Sequence, residues 1–304
     1  MPRCARIKTK NSIYHIIVRS ISEVMLFKER NDKAEYISII KKYQNLFGFK
    51  IYAYCLMDNH AHFIIYSNGT DISKIMHNVN FSYAQKFNCK YNRHGHLFQD
   101  RFKSKIVNNE KYLLALTAYI HNNPRDMEEY KNSPENYEFS SMSSFLDGKR
   151  DENNILDLIY VNGLLNKNKF RNKRIYRDLL RYEIKSGNAI EYEFQSDKFL
   201  YNSGKKSKFG DLKLEELITH IAFLINTDPL ILKLKYNRKL TKKRIITILL
   251  LRNIFDRSCK EICKAFGNIS IGRISMLTRQ GIKLIDEDTF FRSNLNKYIK
   301  LLSF

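Results

Sequence analysis

The sequence predicts an α+β fold, in which a ferredoxin-like antiparallel sheet with helices on one face is followed by an all-helical C-terminal region. Two observations predict the first part. Through residue 125, short segments rich in β-branched and aromatic residues alternate with amphipathic helical periods in the order βαββαβα. Two of the strand segments are also joined by a connection short enough for a hairpin. The second part rests on residues 214–224 and 242–255, which are apolar at helical spacing only.

The first strand is expected at 13–19 (IYHIIVR), followed by a helix from about 32 to 47 that Gly48 closes. Residues 49–56 (FKIYAYCL) and 61–66 (AHFIIY) form the hairpin. A second helix covers 72–91, with Ile72, Ile75, Met76, Val79 and Tyr83 on its apolar face, and a polar loop containing Gly95 follows it. Residues 102–107 make the fourth strand, and a third helix runs from 110 to about 122, where Pro124 stops it. The face of the sheet away from the helices is left for a ligand or nucleic acid. RNA-recognition modules share this plan, so the fold by itself does not choose a function.

Three parts are expected: a catalytic domain over 1–146, a basic helical connector over 147–207 and a DNA-binding domain over 208–304. The connector carries an Asn- and Lys-rich run (NKNKFRNKR, 166–174), read as a solvated helix face, and residues 203–207 (SGKKS) read as a linker. Charge points to the partner. The chain has 53 Lys and Arg against 31 Asp and Glu, a net charge of +22. The excess is shared, with 32 basic and 22 acidic residues in 1–200 and 21 and 9 in 201–304. A polyanion explains such a balance, and nucleic acid is the first candidate. No apolar run approaches the length of a membrane span, and the basic N-terminus lacks the apolar core of a secretory signal, so the expected location is the cytoplasm with no membrane partner. Five cysteines without a CxxC pair indicate neither a disulfide framework nor a zinc site.

The sharpest local motif is Asn59-His60-Ala61-His62, at the start of an apolar strand. Side chains alternate along a strand, so His60 and His62 share a face with Cα atoms roughly 6.6 Å apart, within reach of one cation. Two unrelated surface histidines would give the same spacing. Further along, Tyr119 and Asn123 lie one helical turn apart beside the stripe Leu113, Leu116, Thr117 and Ile120, so a hydroxyl and an amide project together. Tyr112 lies on the same flank as a rival. His15, His77 and His121 read as packing or capping residues.

Four stretches, YHIIVRS (14–20), YCLMDNHAHFIIY (54–66), SYAQKFNCKYNRHGHLFQDRFKS (82–104) and YLLALTAYIHNNP (112–124), resemble the REP-associated tyrosine transposases of the single-tyrosine HUH group. They occur in the family's order, and the resemblance extends to YEFSS (137–141). It implies that His60 and His62 are the metal-binding pair, that Tyr119 is the nucleophile, and that Asn123 is a third metal ligand. Asp58 stands where the family usually has proline, Ser20 where it has glycine, and Arg125-Asp126-Met127 replaces the customary tail. None of these removes a catalytic group, although Asp58 is placed to alter the metal site.

The chemistry implied is cleavage and rejoining of single-stranded or hairpin DNA through a 5'-phosphotyrosine intermediate. A divalent ion, Mg²⁺ or Mn²⁺, held by two imidazoles and an amide would offset the negative charge that builds on the phosphate. In this family the tyrosine comes from the same or a partner subunit, so a homodimer is one expected assembly. His94-Gly95-His96 repeats the HxH spacing in a loop and reads instead as a DNA contact with Arg101 and Lys103, and Arg19 joins that set. A solvated loop anchored by its two phenylalanines is the alternative.

In the C-terminal region, residues 260–267 read as a short helix ending in glycine, and 270–279 as a second begun by serine. The pair resembles the helix-turn-helix of replication initiators of the DnaA type, with Ser270, Arg273 and Arg279 as candidate DNA contacts. A three-helix packing or assembly unit is the competing expectation. For the whole chain the rivals are a non-catalytic DNA-binding regulator, an RNA-binding protein and a metal-dependent hydrolase that uses water.

Overall fold

The computed structural model describes residues 11–22, 24–146, 151, 154–165, 174–181, 213–233, 240–255 and 257–302. The Asn- and Lys-rich run up to residue 173 and the linker at 203–207 lie outside the described residues. Two compact units divide the chain, one built mainly from residues up to 203 and the other mainly from 204–304.

The first unit is built around β1 (Ile13–Arg19), α1 (Arg30–Phe47), β2 (Lys50–Leu56), β3 (His60–Tyr66), α2 (Ile72–Lys90), β4 (Lys103–Ile106) and α3 (Glu110–Asn122), the order that the periodicities predict. Local chemistry sets the helix ends. The Asp32 carboxylate accepts from the backbone N–H of Lys28 and Glu29 ahead of α1. Asp71 caps α2 through Ser73 N–H, and Asn109 caps α3 through Tyr112 N–H. Gly48, at φ 72°, closes α1 in the left-handed conformation that glycine adopts without strain. Pro124 stands at the start of the 3₁₀ turn Asn123–Asp126 that ends α3.

The four strands are antiparallel in the order β2-β3-β1-β4, which puts β1 and β3, the source of the candidate histidines, in the centre. The bulge between Ile51 and Ala53 is confined to β2. One face of the sheet carries Ala61, Phe63 and Ile65, all buried. Tyr36 of α1 packs on Phe63, and Tyr83 of α2 packs on Tyr36, so both connecting helices cover this face as expected. The buried phenols are satisfied: Tyr83 donates to Leu26 C=O at 2.7 Å, and Tyr36 donates to Asn80 Oδ1 at 2.8 Å.

The opposite face carries His15, Ile17 and Arg19 on β1 beside Ile64, His62 and His60 on β3. α3 lies over the β2 and β3 side of this face. The stretch 137–141 then returns along the outer edge of β2: Leu56 N–H donates to Phe139 C=O, Tyr137 donates to Leu56 C=O, and the Ser141 hydroxyl binds Tyr54. An open edge is thereby covered. After α4 (Met142–Leu146) and α5 (Leu158–Leu165), a helical segment at 174–181, α6, docks against the end of α3.

The second unit's described helices are α7 (Leu214–Leu224), α8 (Pro229–Lys233), α9 (Thr241–Asn253), α10 (Cys259–Phe266), α11 (Ile271–Glu287) and α12 (Thr289–Leu302). Ser258 and Glu261 form a capping box at the start of α10, and Gly267, at φ 71°, ends it. Ile245, Leu249, Ile262, Phe266, Ile274, Leu277 and Ile285 are buried in this unit. A Cβ on Gly281 would lie 2.5 Å from Ile245 Cγ2 and 2.8 Å from Leu249 Cδ1, so α9 and α11 cross closely there and any side chain at that position would make Ile245 and Leu249 shift. No described helix is long and apolar enough to cross a membrane.

Candidate active site

Antiparallel pairing places Arg19 opposite His60 and Ile17 opposite His62. His60 is half-buried at the strand's start, whereas His62, one pleat further in, is 3% exposed. Their rings lie 5.0 Å apart between centroids and nearly perpendicular, at 85°. His62 also meets the ring of Tyr119 edge-on, at 5.7 Å and 88°. The sheet and α3 thus bring together three of the four expected site residues, from segments far apart in the chain.

Each histidine has its Nδ1 engaged. His60 Nδ1 lies 2.6 Å from Asn59 Oδ1, an acceptor, so a neutral His60 carries its proton there and its lone pair on Nε2. His62 Nδ1 lies 3.1 Å from Nε2 of His15, which stacks on it at 5.4 Å and 20°. Burial, reinforced by the charges of His15, His60 and Arg19, holds His62 well below the usual histidine range. The ring is neutral at physiological pH, the form that binds a metal. Burial and the Lys105 ammonium likewise bring His15 down to about 3.

Asn123 sits one turn beyond Tyr119, and its amide nitrogen donates to the carbonyls of Tyr119 and Ile120 at 3.0 and 3.3 Å. With the nitrogen bound to the helix, the amide oxygen is left as the side chain's free acceptor type. Two imidazoles engaged through Nδ1 and an amide oxygen are donor types that suit a divalent ion, Mn²⁺ better than the harder, oxygen-preferring Mg²⁺. Among the described residues no group of three or more His, Cys, Asp or Glu is placed to hold a metal ion. Cys55, opposite His62 on β2, is buried and its thiol is pushed above the usual range, which makes it a poor thiolate ligand. The Asp58 carboxylate binds Lys33 at 2.7 Å, and Lys33 also donates to Tyr137, so Asp58 is held to α1.

The remaining expected residues fall into separate places. Tyr112 lies under Lys105, whose ammonium is 5.2 Å from the ring centre, two turns before Tyr119 on α3. His94 and His96 are exposed, while Leu97 and Phe102 are the buried anchors of their loop and Phe98 is only half-buried. Leu97 and Gln99 pair with the backbone of Ile21 and Arg19, so this loop runs beside the His60 end of β1. Lys103 and Lys105, opposite Ile17 and His15, lie on the histidine face, and Arg19, Arg101 and Lys103 are exposed. In the second unit Arg273 and Arg279 are exposed on α11, and the Ser270 hydroxyl accepts from Arg273 N–H as the helix cap.

Sequence reading missed two contributors. His15 looks like a packing residue in one strand, and only cross-strand register reveals its contact with His62. His121 has the same appearance in α3. It is fully buried between Ser141 Oγ, at 2.6 Å, and the Tyr176 hydroxyl of α6, and Asn122 donates to Leu180 C=O at 3.1 Å. The expected stripe on α3 is therefore broader, with Ala118 and His121 also buried, because α6 and Phe145 cover a second side. Tyrosine and histidine types 55 residues apart gave no signal of this pairing.

Comparison with known proteins bears on this same segment. Residues 8–123 match the family model described as IS200-like transposase. Over these residues the chain is similar to the IS200-like transposases. The match contains His60, His62, Tyr119 and Asn123 and supports a transposase-type DNA-binding function for this segment. A solved structure of a REP-associated tyrosine transposase bound to a REP hairpin aligns at 18% identity, covering 48% of this chain and 86% of that one, with a TM-score of 0.41. No curated protein matches the chain.

Proposed function

We propose that this transposase domain is a metal-dependent single-strand DNA endonuclease and strand transferase that cuts and rejoins single-stranded or hairpin DNA. The edge-on contact of Tyr119 with His62 carries the reading, because it sets a nucleophile type beside an imidazole pair whose buried member is neutral. Tyr119 Oη attacks the scissile phosphorus, the bond to the 3' oxygen breaks, and the proton given up by the tyrosine to solvent is matched by one that solvent gives the departing oxygen, which leaves as a 3'-hydroxyl. The product is a 5'-phosphotyrosine, and attack by an incoming 3'-hydroxyl reverses the step to rejoin the strand. His60, His62 and Asn123 would hold a divalent ion, which when bound would supply Lewis-acid stabilisation of the phosphoryl charge. Arg19, His96, Arg101 and Lys103 bind the strand on the open half of the histidine face and its flanking loop. Contact between His62 and Tyr119 of one chain favours a site completed within a protomer, including in a homodimer.

Within this reading, residues 1–146 hold the chemistry, 147–207 form a basic connector, and 208–304 form a helix-turn-helix domain that grips flanking duplex. α10 and α11 are joined by the four residues 267–270, and α11 exposes Arg273, Met276, Arg279 and Lys283 along one side. That row supports α11 as the helix that enters a major groove, with Ser270 at its start. The protein acts on DNA in the cytoplasm. The test is incubation with a panel of labelled single-stranded hairpins and Mn²⁺, followed by denaturing gels. A covalent adduct formed by the wild type and absent with Tyr119→Phe is expected. DNA binding without any adduct would make the chain a DNA-binding regulator, and cleavage without an adduct would make it a hydrolase using water.

A further inference from the structure

His15 takes no part in the chemistry just described, yet it is a fully buried polar group in hydrogen-bond contact with one member of the candidate metal pair. It is fully buried on a central strand. Its Nε2 lies 3.1 Å from His62 Nδ1, and the two rings stack at 20°. Antiparallel register explains the meeting: His15 lies opposite Ile64, so His62 is its diagonal neighbour on the same face. A purely apolar contact would be made more cheaply by leucine or valine, which carry no nitrogen to desolvate.

We propose that His15 is a positioning residue for the metal site: its Nε2 accepts the Nδ1 proton of His62 and fixes the tautomer that turns His62 Nε2 toward the cation. The inference rests on the metal-assisted reading above. It makes the site symmetric in its support. Asn59 holds Nδ1 of His60 and His15 holds Nδ1 of His62, so both rings present the same nitrogen. A neutral imidazole that donates through one nitrogen is both oriented and a better ligand through the other, and loss of such a partner typically weakens metal affinity by about 10 to 100-fold. His15 therefore acts through His62 and need not touch the metal or the DNA.

Two measurements on the full chain test it. In the metal-free protein, long-range ¹H–¹⁵N correlation spectra of the histidine rings should show His62 in the Nδ1–H form. An Nε2–H form for His62 would overturn the proposal. Calorimetric titration with Mn²⁺ should then separate two substitutions: His15→Phe, which keeps a buried ring but no acceptor, should weaken binding by about 10 to 100-fold. His15→Gln, whose amide oxygen can replace the acceptor, should stay within about threefold of the wild type. Equal affinity of His15→Phe and wild type, or equal weakening by both substitutions, would mean that His15 only fills space. Metal-free thermal melts establish that each variant is folded, and if His15→Phe is not, the glutamine variant and the tautomer decide. A wild type that binds no Mn²⁺ would sink the metal reading instead, and the ring spectra would still judge the His15–His62 bond.

Discussion

The chain contains the same histidine spacing twice, and the two copies end in opposite environments. His60 and His62 start a central strand, where alternation puts both rings on one face and the neighbouring strand supplies Arg19 and His15 as lateral partners. His94 and His96 flank Gly95, at φ 91°, in a loop where both side chains are exposed. Spacing alone is thus neutral about chemistry. A regular strand converts it into a shared direction, burial neutralises one ring, and a cross-strand acceptor orients it. The two tyrosines of α3 repeat the contrast, since Tyr119 reaches His62 and Tyr112 lies under Lys105.

The tyrosine pair gives the most severe test of that contrast. Tyr119→Phe should lower covalent adduct and cleavage by roughly four to six orders of magnitude while leaving DNA binding nearly intact, because only the nucleophilic oxygen is lost. Tyr112→Phe should remain active on the same gels. If Tyr112→Phe alone is dead, the nucleophile lies two turns earlier and the contact with His62 has been misread.

The histidine pairs come next. His60→Ala or His62→Ala should weaken Mn²⁺ binding by more than about 100-fold, beyond what loss of a supporting partner costs. His94→Ala should leave metal affinity unchanged and reduce DNA binding only a few-fold. Retained Mn²⁺ affinity in the His60/His62 double variant would erase the distinction between the two motifs.

Burial itself can be sharpened by pH. His15 and His121 are each lowered to about 3 by burial, far below the roughly 6.5 of an unfolded chain. The unfolded state therefore binds protons that the native state refuses. Stability is complete above about pH 6.5 and falls as pH drops from there toward about 3, by about 1.4 kcal/mol per pH unit for each histidine. Melts between about pH 7 and 4 should record the fall, and His121→Phe should flatten the slope by one histidine's share. A flat wild-type profile would contradict the neutral, buried setting that separates these rings from those of the loop.

Smaller effects are expected in the helical unit. Gly281→Ala should destabilise it by about 1 to 3 kcal/mol, since the added methyl meets Ile245 and Leu249, and the melting of this unit should shift while that of the sheet unit does not. Arg279→Ala should weaken duplex binding a few-fold and reduce the slope of log affinity against log salt by about 1. An unchanged slope would remove α11 from the DNA surface and leave it a packing or assembly helix.

Much was determined by the sequence itself. Alternation and helical periods fix the strands and helices of the first unit to within a few residues, because amphipathic patterning and caps at Asp71, Asn109 and Gly48 are local properties. The shared direction of His60 and His62 is equally local, as is the one-turn offset of Tyr119 and Asn123. What only the tertiary structure decided is which side chains from distant segments meet. β1 lies between β3 and β4, so His15 stacks on His62, and α3 crosses the histidine face, so Tyr119 rather than Tyr112 reaches the pair. The docking of Tyr176 on His121 likewise depends on how the chain returns after α4. Such meetings depend on register and packing across long loops, and no window of sequence encodes them: a histidine that supports a metal ligand and one that merely fills a core have the same neighbours along the chain.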